Sequence, residues 1–266
     1  MSERRAAAGV LEGQRAVVTG GGSGIGRAIC RALAREGAAV AVTDLDGASA
    51  GAVAAEIVAA GGRAWAAALD VRDGAAALVA FDQAAGALGG IDLACLNAGV
   101  STMARVEDLD PERDWDFNLD VNAKGMFLCT QVALPHLKAA GGAIVATASL
   151  AGMRDVPLLA HYAASKWAVI GWVKSVALEL APFGITYNCV CPGYVRTAMQ
   201  ELEPVWEAAL RGMTPQAVAE EYVRNTPLGR LEEPKDVADA VVYLASPAAR
   251  CLTGVALPTT GGADLL

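Results

Sequence analysis

Short runs of β-branched and small apolar residues alternate with longer Ala- and Leu-rich stretches along nearly the whole chain, and few architectures accommodate that rhythm. Ala16–Thr19, Ala39–Thr43, Ala64–Leu69, Leu93–Leu96, Ala143–Thr147, Ile185–Val190 and Val255–Leu257 read as strands. Between them, residues 24–36, 47–60, 74–88, 115–139, 162–181 and 234–245 carry helical composition. The strands are apolar on both faces, as they are when helices cover a parallel sheet from both sides. Such alternation predicts right-handed crossovers and a doubly wound α/β sheet. No linker-like segment interrupts the 266 residues, so the pattern predicts one domain spanning 1–266. The long departure from the rhythm, at about 194–226, is expected to be a substrate lid, since insertions of that length are usually functional. Its Met199, Trp206, Met213 and Tyr222 either close over an apolar ligand or pack the lid down.

Composition removes several classes of function. With 54% hydrophobic and 19% charged residues, the chain has enough apolar surface to offset its conformational entropy, which excludes a disordered protein. No uncharged stretch reaches the roughly 18–20 residues of a membrane span, so no membrane association is expected. A formal charge of −8 supplies no basic footprint, and duplex nucleic acid would be repelled. Six cysteines (Cys30, Cys95, Cys129, Cys189, Cys191 and Cys251) are scattered and read as structural. Cys189 and Cys191 have the wrong spacing for a CxxC motif; a strand there either splays the two thiols apart or packs both in the core. With only His136 and His161 available, no histidine-rich metal site is expected. The N-terminal stretch, with Arg4 and Arg5, has too short an apolar run for a secretory signal, and cytoplasmic residence is the expectation.

Thr19 to Gly26 (TGGGSGIG) follows the first strand and opens the first helix. Gly20 permits the tight turn, Gly24 lets backbone approach a ligand, and Gly26 lets helix sit close to sheet. The helix N-terminus, with Ser23 and Ile25 in the turn, then offers N–H groups and a positive dipole end to a pyrophosphate. Asp44 ends the second strand, eighteen residues after Gly26. A carboxylate there accepts hydrogen bonds from ribose hydroxyls and repels a 2′-phosphate, which favours NAD over NADP. No Arg or Lys lies within Gly20–Ile25 to bind that extra phosphate. The competing reading makes Asp44 the cap of the helix beginning near Gly47, a role Asp46 fills equally well.

Tyr162 and Lys166 stand four residues apart, which stacks a phenol and an ammonium on one helix face. Tyrosine ordinarily titrates near 10, and lowering that by three units needs about 4 kcal/mol of preference for the phenolate. An ammonium about 4 Å away supplies about that much at an effective dielectric of 20, so the spacing suits a tuned general acid/base. Ser149 follows the fifth strand and Asn97-Ala98-Gly99 the fourth, at the sheet edge where ligands bind. Asn122 lies on the long helix between them; alone, it or Ser149 is more often a satisfied polar residue than a catalyst.

With these residues in place, the chain resembles the short-chain dehydrogenase/reductase family, in its single-domain branch, from about Gly13 to Gly262. The resemblance implies one doubly wound Rossmann-type domain with a central, mostly parallel seven-stranded sheet between two helical layers. It also implies a catalytic tetrad of Asn122, Ser149, Tyr162 and Lys166. Pro192 and Gly193 match the family's Pro-Gly, with Val195 and Thr197 directed at the nicotinamide amide and the phosphates. Asp70 and Val71 match the pair beside the adenine, and Asn97, Ala98 and Gly99 the NAG motif. The chain departs from the pattern at Leu96, at Thr260-Gly261-Gly262 and in the bulkier start of Tyr187–Cys191, which bear on pocket shape and C-terminal contacts.

The implied reaction is reversible oxidation of a secondary alcohol to a ketone with NAD. Tyr162 moves the hydroxyl proton, Ser149 fixes the substrate oxygen, Lys166 binds the ribose and depresses the Tyr162 pKa, and Asn122 supports a water relay. Leu150, Ala151, Met153, Val156, Leu159, Tyr194 and Met199 are the expected substrate walls. Arg154, Asp155 and His161 either read polar groups or, as favoured, face solvent. A small polyol, sugar, hydroxy ketone or cyclic alcohol fits. Two rivals stand beside this reading: an NADPH-dependent ketoacyl reductase of the same family, disfavoured by Asp44, and a non-catalytic nucleotide sensor, disfavoured by the intact tetrad. The helix from Tyr162 to Ala181 is apolar nearly all round, so one face is expected to meet another subunit in a homotetramer or homodimer.

Overall fold

The structure is a computed structural model describing residues 9–139 and 141–265; Arg4 and Arg5 lie outside the described residues. In chain order the elements begin with β1 (Arg15–Thr19), α1 (Gly24–Arg35), β2 (Ala39–Asp44), α2 (Gly47–Ala59), β3 (Ala64–Ala68), α3 (Gly74–Leu88) and β4 (Leu93–Leu96). After α4 (Phe117–Leu119) and α5 (Met126–Leu137) come β5 (Gly142–Thr147), α6 (Ala160–Leu180) and β6 (Ile185–Pro192). Helices α7 (Ala198–Arg211), α8 (Pro215–Arg224) and α9 (Pro234–Ala245) then precede β7 (Ala256–Thr259). The strands form a seven-stranded sheet in the order β3-β2-β1-β4-β5-β6-β7. All of its neighbouring pairs are parallel. The expected doubly wound α/β architecture is therefore the observed one.

Strand side chains alternate between the two faces, and that alternation builds two cores. Val17, Ala41, Ala94, Ile144 and Cys189 face one layer, where they meet Phe81 of α3, Cys129 and Ala133 of α5 and Val173 of α6. Val18, Val42, Cys95, Val145 and Val190 face the other, against Ile29 and Leu33 of α1, Val53 and Ile57 of α2 and Val241 of α9. Truncating a buried aromatic such as Phe81 to alanine would cost about 3–5 kcal/mol. Both Cys189 and Cys191 are packed in the core, as are Cys30, Cys95 and Cys129; Cys251 is exposed, so the buried reading fails for that one thiol.

Capping explains where the helices start. Asp46 accepts from Ala48 N at 3.0 Å and so caps α2, which leaves Asp44 for another task. Asp73 accepts from Ala75 N and Ala76 N and caps α3, which ends at Gly89 with φ of 86°. The helix expected over 115–139 begins earlier and is irregular. Asp110 caps it, Pro111 occupies the first turn, and π-helical segments at Pro111–Asp116 and Asp120–Gly125 flank α4. Wide turns of this kind are frequent at functional sites.

α6 is apolar all round in composition but buried on one face only. Trp167 and Leu178 stand 52% and 76% exposed on its outer side. Residues 194–226 hold α7 and α8, packed on each other through Ala208, Val218 and Tyr222 with Met213 and Tyr194 alongside. Tyr194 and Tyr222 stack with ring centroids 4.4 Å apart. Both ends of this hairpin are tied by a short parallel bridge between Val195 and Glu232. Among the described residues, no helix is long and apolar enough to cross a membrane.

Candidate active site

The carboxyl ends of the strands open into a cleft of about 440 Å³. Strands β1, β2 and β3 deliver Gly20, Ser23, Gly24, Ile25, Gly26, Asp44, Asp70 and Val71 to one half of it. Strands β4, β5 and β6 deliver Asn97, Ala98, Gly99, Ser149, Pro192, Gly193, Val195 and Thr197 to the other, beside Tyr162 and Lys166 of α6. Asn122 is the one tetrad member that does not line it.

The glycine turn is shaped by close approach. A Cβ on Gly26 would stand 1.9 Å from the Gly20 carbonyl oxygen, so only glycine lets α1 start so near the turn. Gly20 has φ of 63°, and a Cβ there would meet Ala98 Cα at 2.8 Å. Asn97 knits the strand ends together: its Nδ2 donates to Gly20 O at 3.1 Å, and its Oδ1 accepts from Thr147 Oγ1 at 3.1 Å. Thr19 Oγ1 accepts from Asn97 N and Ala98 N at 3.0 and 3.1 Å. Thr147 also lines the cleft, a position that sequence reasoning missed, since a threonine at a strand end carries no signal of its own.

Ser23 occupies the cap position of α1 but makes no side-chain cap bond, and no acidic residue stands in the first turn. The opening N–H groups of α1 thus face the cleft without a side-chain partner, which is the complement of a phosphate. Asp44 accepts from Gly22 N at 2.9 Å and from Asp46 N at 3.1 Å, which fixes its carboxylate at the cleft edge. Asp70 pairs with Arg72 at 2.6 Å, and that partner holds its pKa below the ordinary carboxylate range. A phosphate cradle at one helix start, with a fixed carboxylate at the neighbouring strand end, fits a dinucleotide.

At the other half, the Ser149 hydroxyl accepts from Ala151 N at 3.1 Å and faces the Tyr162 hydroxyl, whose pKa it draws down. Burial outweighs that effect and, with help from the charge on Glu203, holds the phenol above its ordinary value. Lys166 is not among the groups acting on this phenol, so the net shift is upward rather than the expected downward one. The lysine is itself only 4% exposed, and burial pushes it down to about 8. Its Nζ donates to Thr147 O at 3.1 Å and lies 5.6 Å from the tyrosine ring centroid. Asn122 sits behind this group, 2% exposed. Its side chain accepts from Val100 N at 2.8 Å and donates to Val100 O and Ser165 Oγ, both at 2.9 Å.

The expected apolar walls Leu150, Ala151, Val156, Leu159, Tyr194 and Met199 line the cleft. Met153 instead packs against the core beneath. His161 does not face solvent: it is fully buried, with Nε2 at 2.8 Å from both Thr102 Oγ1 and Thr102 O. Arg154 is half-buried and donates to Ala263 O at 2.6 Å, whereas Asp155 is exposed as expected. Two further cleft residues, Gln200 and Glu203, come from α7. Nothing in the sequence marked them, because their approach depends on how the hairpin folds back. Glu232, also missed, is 4% exposed; its Oε1 accepts from Gly193 N at 2.9 Å, and burial pushes its pKa up to about 7.

Comparison with known proteins gives a consistent result. A short chain dehydrogenase family model matches residues 14–208. Oxidoreductase UcpA of Salmonella typhimurium is 37% identical over 262 residues, covering 97% of each chain. The 4-formylbenzenesulfonate dehydrogenase of Comamonas testosteroni is 41% identical, covering 96% of this chain and 99% of that one. A short-chain type dehydrogenase/reductase from Mycobacterium marinum superposes with a TM-score of 0.85 at 35% identity, covering 95% and 96% of the two chains. The chain therefore belongs to the short-chain dehydrogenase/reductase family of oxidoreductases, which bind a nicotinamide dinucleotide.

Proposed function

We propose that this chain is an NAD-dependent dehydrogenase that interconverts a secondary alcohol and its ketone, the substrate being a small polyol, sugar, hydroxy ketone or cyclic alcohol. The observation that carries this reading is the meeting of Ser149, Tyr162 and Lys166 in the same cleft as the uncapped start of α1 and Asp44. Bound there, the dinucleotide supplies the hydride chemistry. Gly20, Ser23, Gly24, Ile25 and Gly26 would hold its pyrophosphate, Asp44 a ribose, and Asp70 and Val71 the adenine side. Asn97, Ala98, Gly99, Pro192, Gly193, Val195 and Thr197 would enclose the nicotinamide half.

In this reading the Ser149 hydroxyl holds the substrate oxygen and the Tyr162 hydroxyl exchanges the proton with it. A phenol held above its ordinary pKa stays protonated at neutral pH, which suits donation to a ketone oxygen. Lys166 anchors a ribose and Asn122 fixes the Val100 loop beneath. The carboxylate of Asp44, with no Lys or Arg in residues 20–25, supports NAD over NADP. Residues 194–226 would close over the substrate as a lid on a single NAD-binding domain. The exposed Trp167 and Leu178 of α6 support assembly as a homotetramer.

Tyr162→Phe tests the reading. With NAD and a panel of alcohols, kcat is expected to fall by about 10²–10⁴ while dinucleotide binding, followed by NADH fluorescence, persists. Turnover like that of the unaltered chain would overturn Tyr162 as the proton carrier.

A further inference from the structure

We propose that Gln200 and Glu203 of α7 form a hydroxyl-binding site in the cleft that holds Tyr162, so that the substrate is a diol or polyol rather than a simple secondary alcohol. This rests on the dehydrogenase reading and narrows it. Thr197 caps α7, its Oγ1 accepting from Gln200 N at 3.2 Å, which sets the first turn of the helix. Three residues further on, Glu203 shares that helix face, and both side chains line the cleft.

Gln200 is 8% exposed, and its Nε2 is buried without a hydrogen bond. Buried amide donors are normally satisfied, so an orphan at a cleft wall points to a ligand atom. Glu203 makes no ion pair among the described residues. The next carboxylate on the helix, Glu207, is by contrast paired with Arg211 at 2.5 Å and accepts from the Tyr222 hydroxyl. Arg154, the cation at this end of the cleft, donates to Ala263 O. Burial and the charge on Glu207 push the Glu203 pKa up to about 7, while the nearby Gln200 amide draws it down. The Gln200 amide is thus close enough to act on the Glu203 carboxylate, while its Nε2 is left without a well-formed hydrogen bond.

What fits between them follows from counting donors and acceptors. The Gln200 amide nitrogen only donates, and an ionised Glu203 carboxylate only accepts. An atom serving both must accept one hydrogen bond and donate another. A hydroxyl does this. An ammonium cannot accept from Nε2, and a carboxylate cannot donate and is repelled by Glu203. A methylene leaves both groups buried and unpaired. The remaining walls of this half are largely apolar, so the two polar groups fix which part of the substrate carries the second hydroxyl.

The test measures kcat/KM with NAD for matched pairs, 1,2-cyclohexanediol against cyclohexanol and 2,3-butanediol against 2-butanol. The unaltered enzyme is expected to favour the diol by at least about tenfold, since a site built to bond a hydroxyl rejects the analogue lacking it. Gln200→Leu and Glu203→Leu should each bring the ratio toward one. Glu203→Gln, which keeps the shape and an acceptor oxygen, should retain part of it. NADH titration of each variant confirms that a folded protein is being compared. Equal use of both members of each pair, or a ratio that survives both leucine variants, overturns the inference and leaves the dehydrogenase standing. If no member of either pair is oxidised and no corresponding ketone is reduced, the dehydrogenase reading itself fails and this inference falls with it.

Discussion

Glu232 shows how one enclosed side chain gives the molecule a measurable pH response. Its carboxyl has moved from an ordinary 4.5 to about 7 because burial disfavours the charged form. Between those values the folded chain holds a proton that the unfolded chain has released. Its contribution to stability is therefore complete below about pH 4.5 and is lost as the pH rises through about 7, by up to about 3 kcal/mol. Glu232→Gln, which keeps the bond from Gly193 N, should flatten the fall in Tm across that window; an unchanged slope in thermal melts would contradict it. Lys166 works in the opposite sense. Its pKa has been lowered to about 8 from 10.5, so its contribution is present above the upper value and is lost as the pH falls toward the lower. Residue types and spacing showed Tyr162, Ser149 and Lys166 because their chemistry is rare and their separation local. Glu203, Gln200 and Glu232 stayed hidden because each acquires meaning only where two distant segments meet.

At the scale of elements, the strands were legible because a strand covered on both faces must be apolar throughout, and the short runs satisfied that. Boundaries followed where a cap was explicit. Asp73 accepts from two backbone N–H groups at the start of α3, so Asp73→Ala is expected to cost about 1 kcal/mol, read as a lowered urea midpoint. The turn before α1 is less forgiving. Gly26→Ala would set a methyl 1.9 Å from Gly20 O and 2.6 Å from Asn97 Nδ2, which forces the helix away from the sheet. Dinucleotide affinity should fall by at least about tenfold, one lost hydrogen bond's worth or more, measured by fluorescence titration. The stretch from Pro111 to Gly125 was the least legible. Its composition is helical, but whether the backbone closes its turns at four or five residues is decided by tertiary packing around Asn118 and Asn122, both almost wholly buried.

Over the whole molecule, charge and surface set the remaining expectations. On the proposed NAD preference, Asp44→Ala should narrow the NAD-to-NADP ratio of kcat/KM by at least about tenfold. A ratio that stays put would place the discrimination elsewhere. The outward face of α6, with Trp167 about half exposed, is too apolar for comfortable solvation. Trp167→Glu should shift the mass seen by light scattering toward smaller assemblies. The clasp at the base of the helical hairpin has a different consequence. Glu232 N donates to Tyr194 O at 2.9 Å and Arg196 N donates to Glu232 O at 2.8 Å, so entry and exit of the segment are pinned side by side. Whatever chain length lies beyond that pinch, the sheet receives the same two anchor points. If the hairpin is the substrate lid proposed above, a graft from a relative joined at these residues should change selectivity while the seven strands remain undisturbed, checked by kcat/KM over an alcohol panel and by an unchanged Tm.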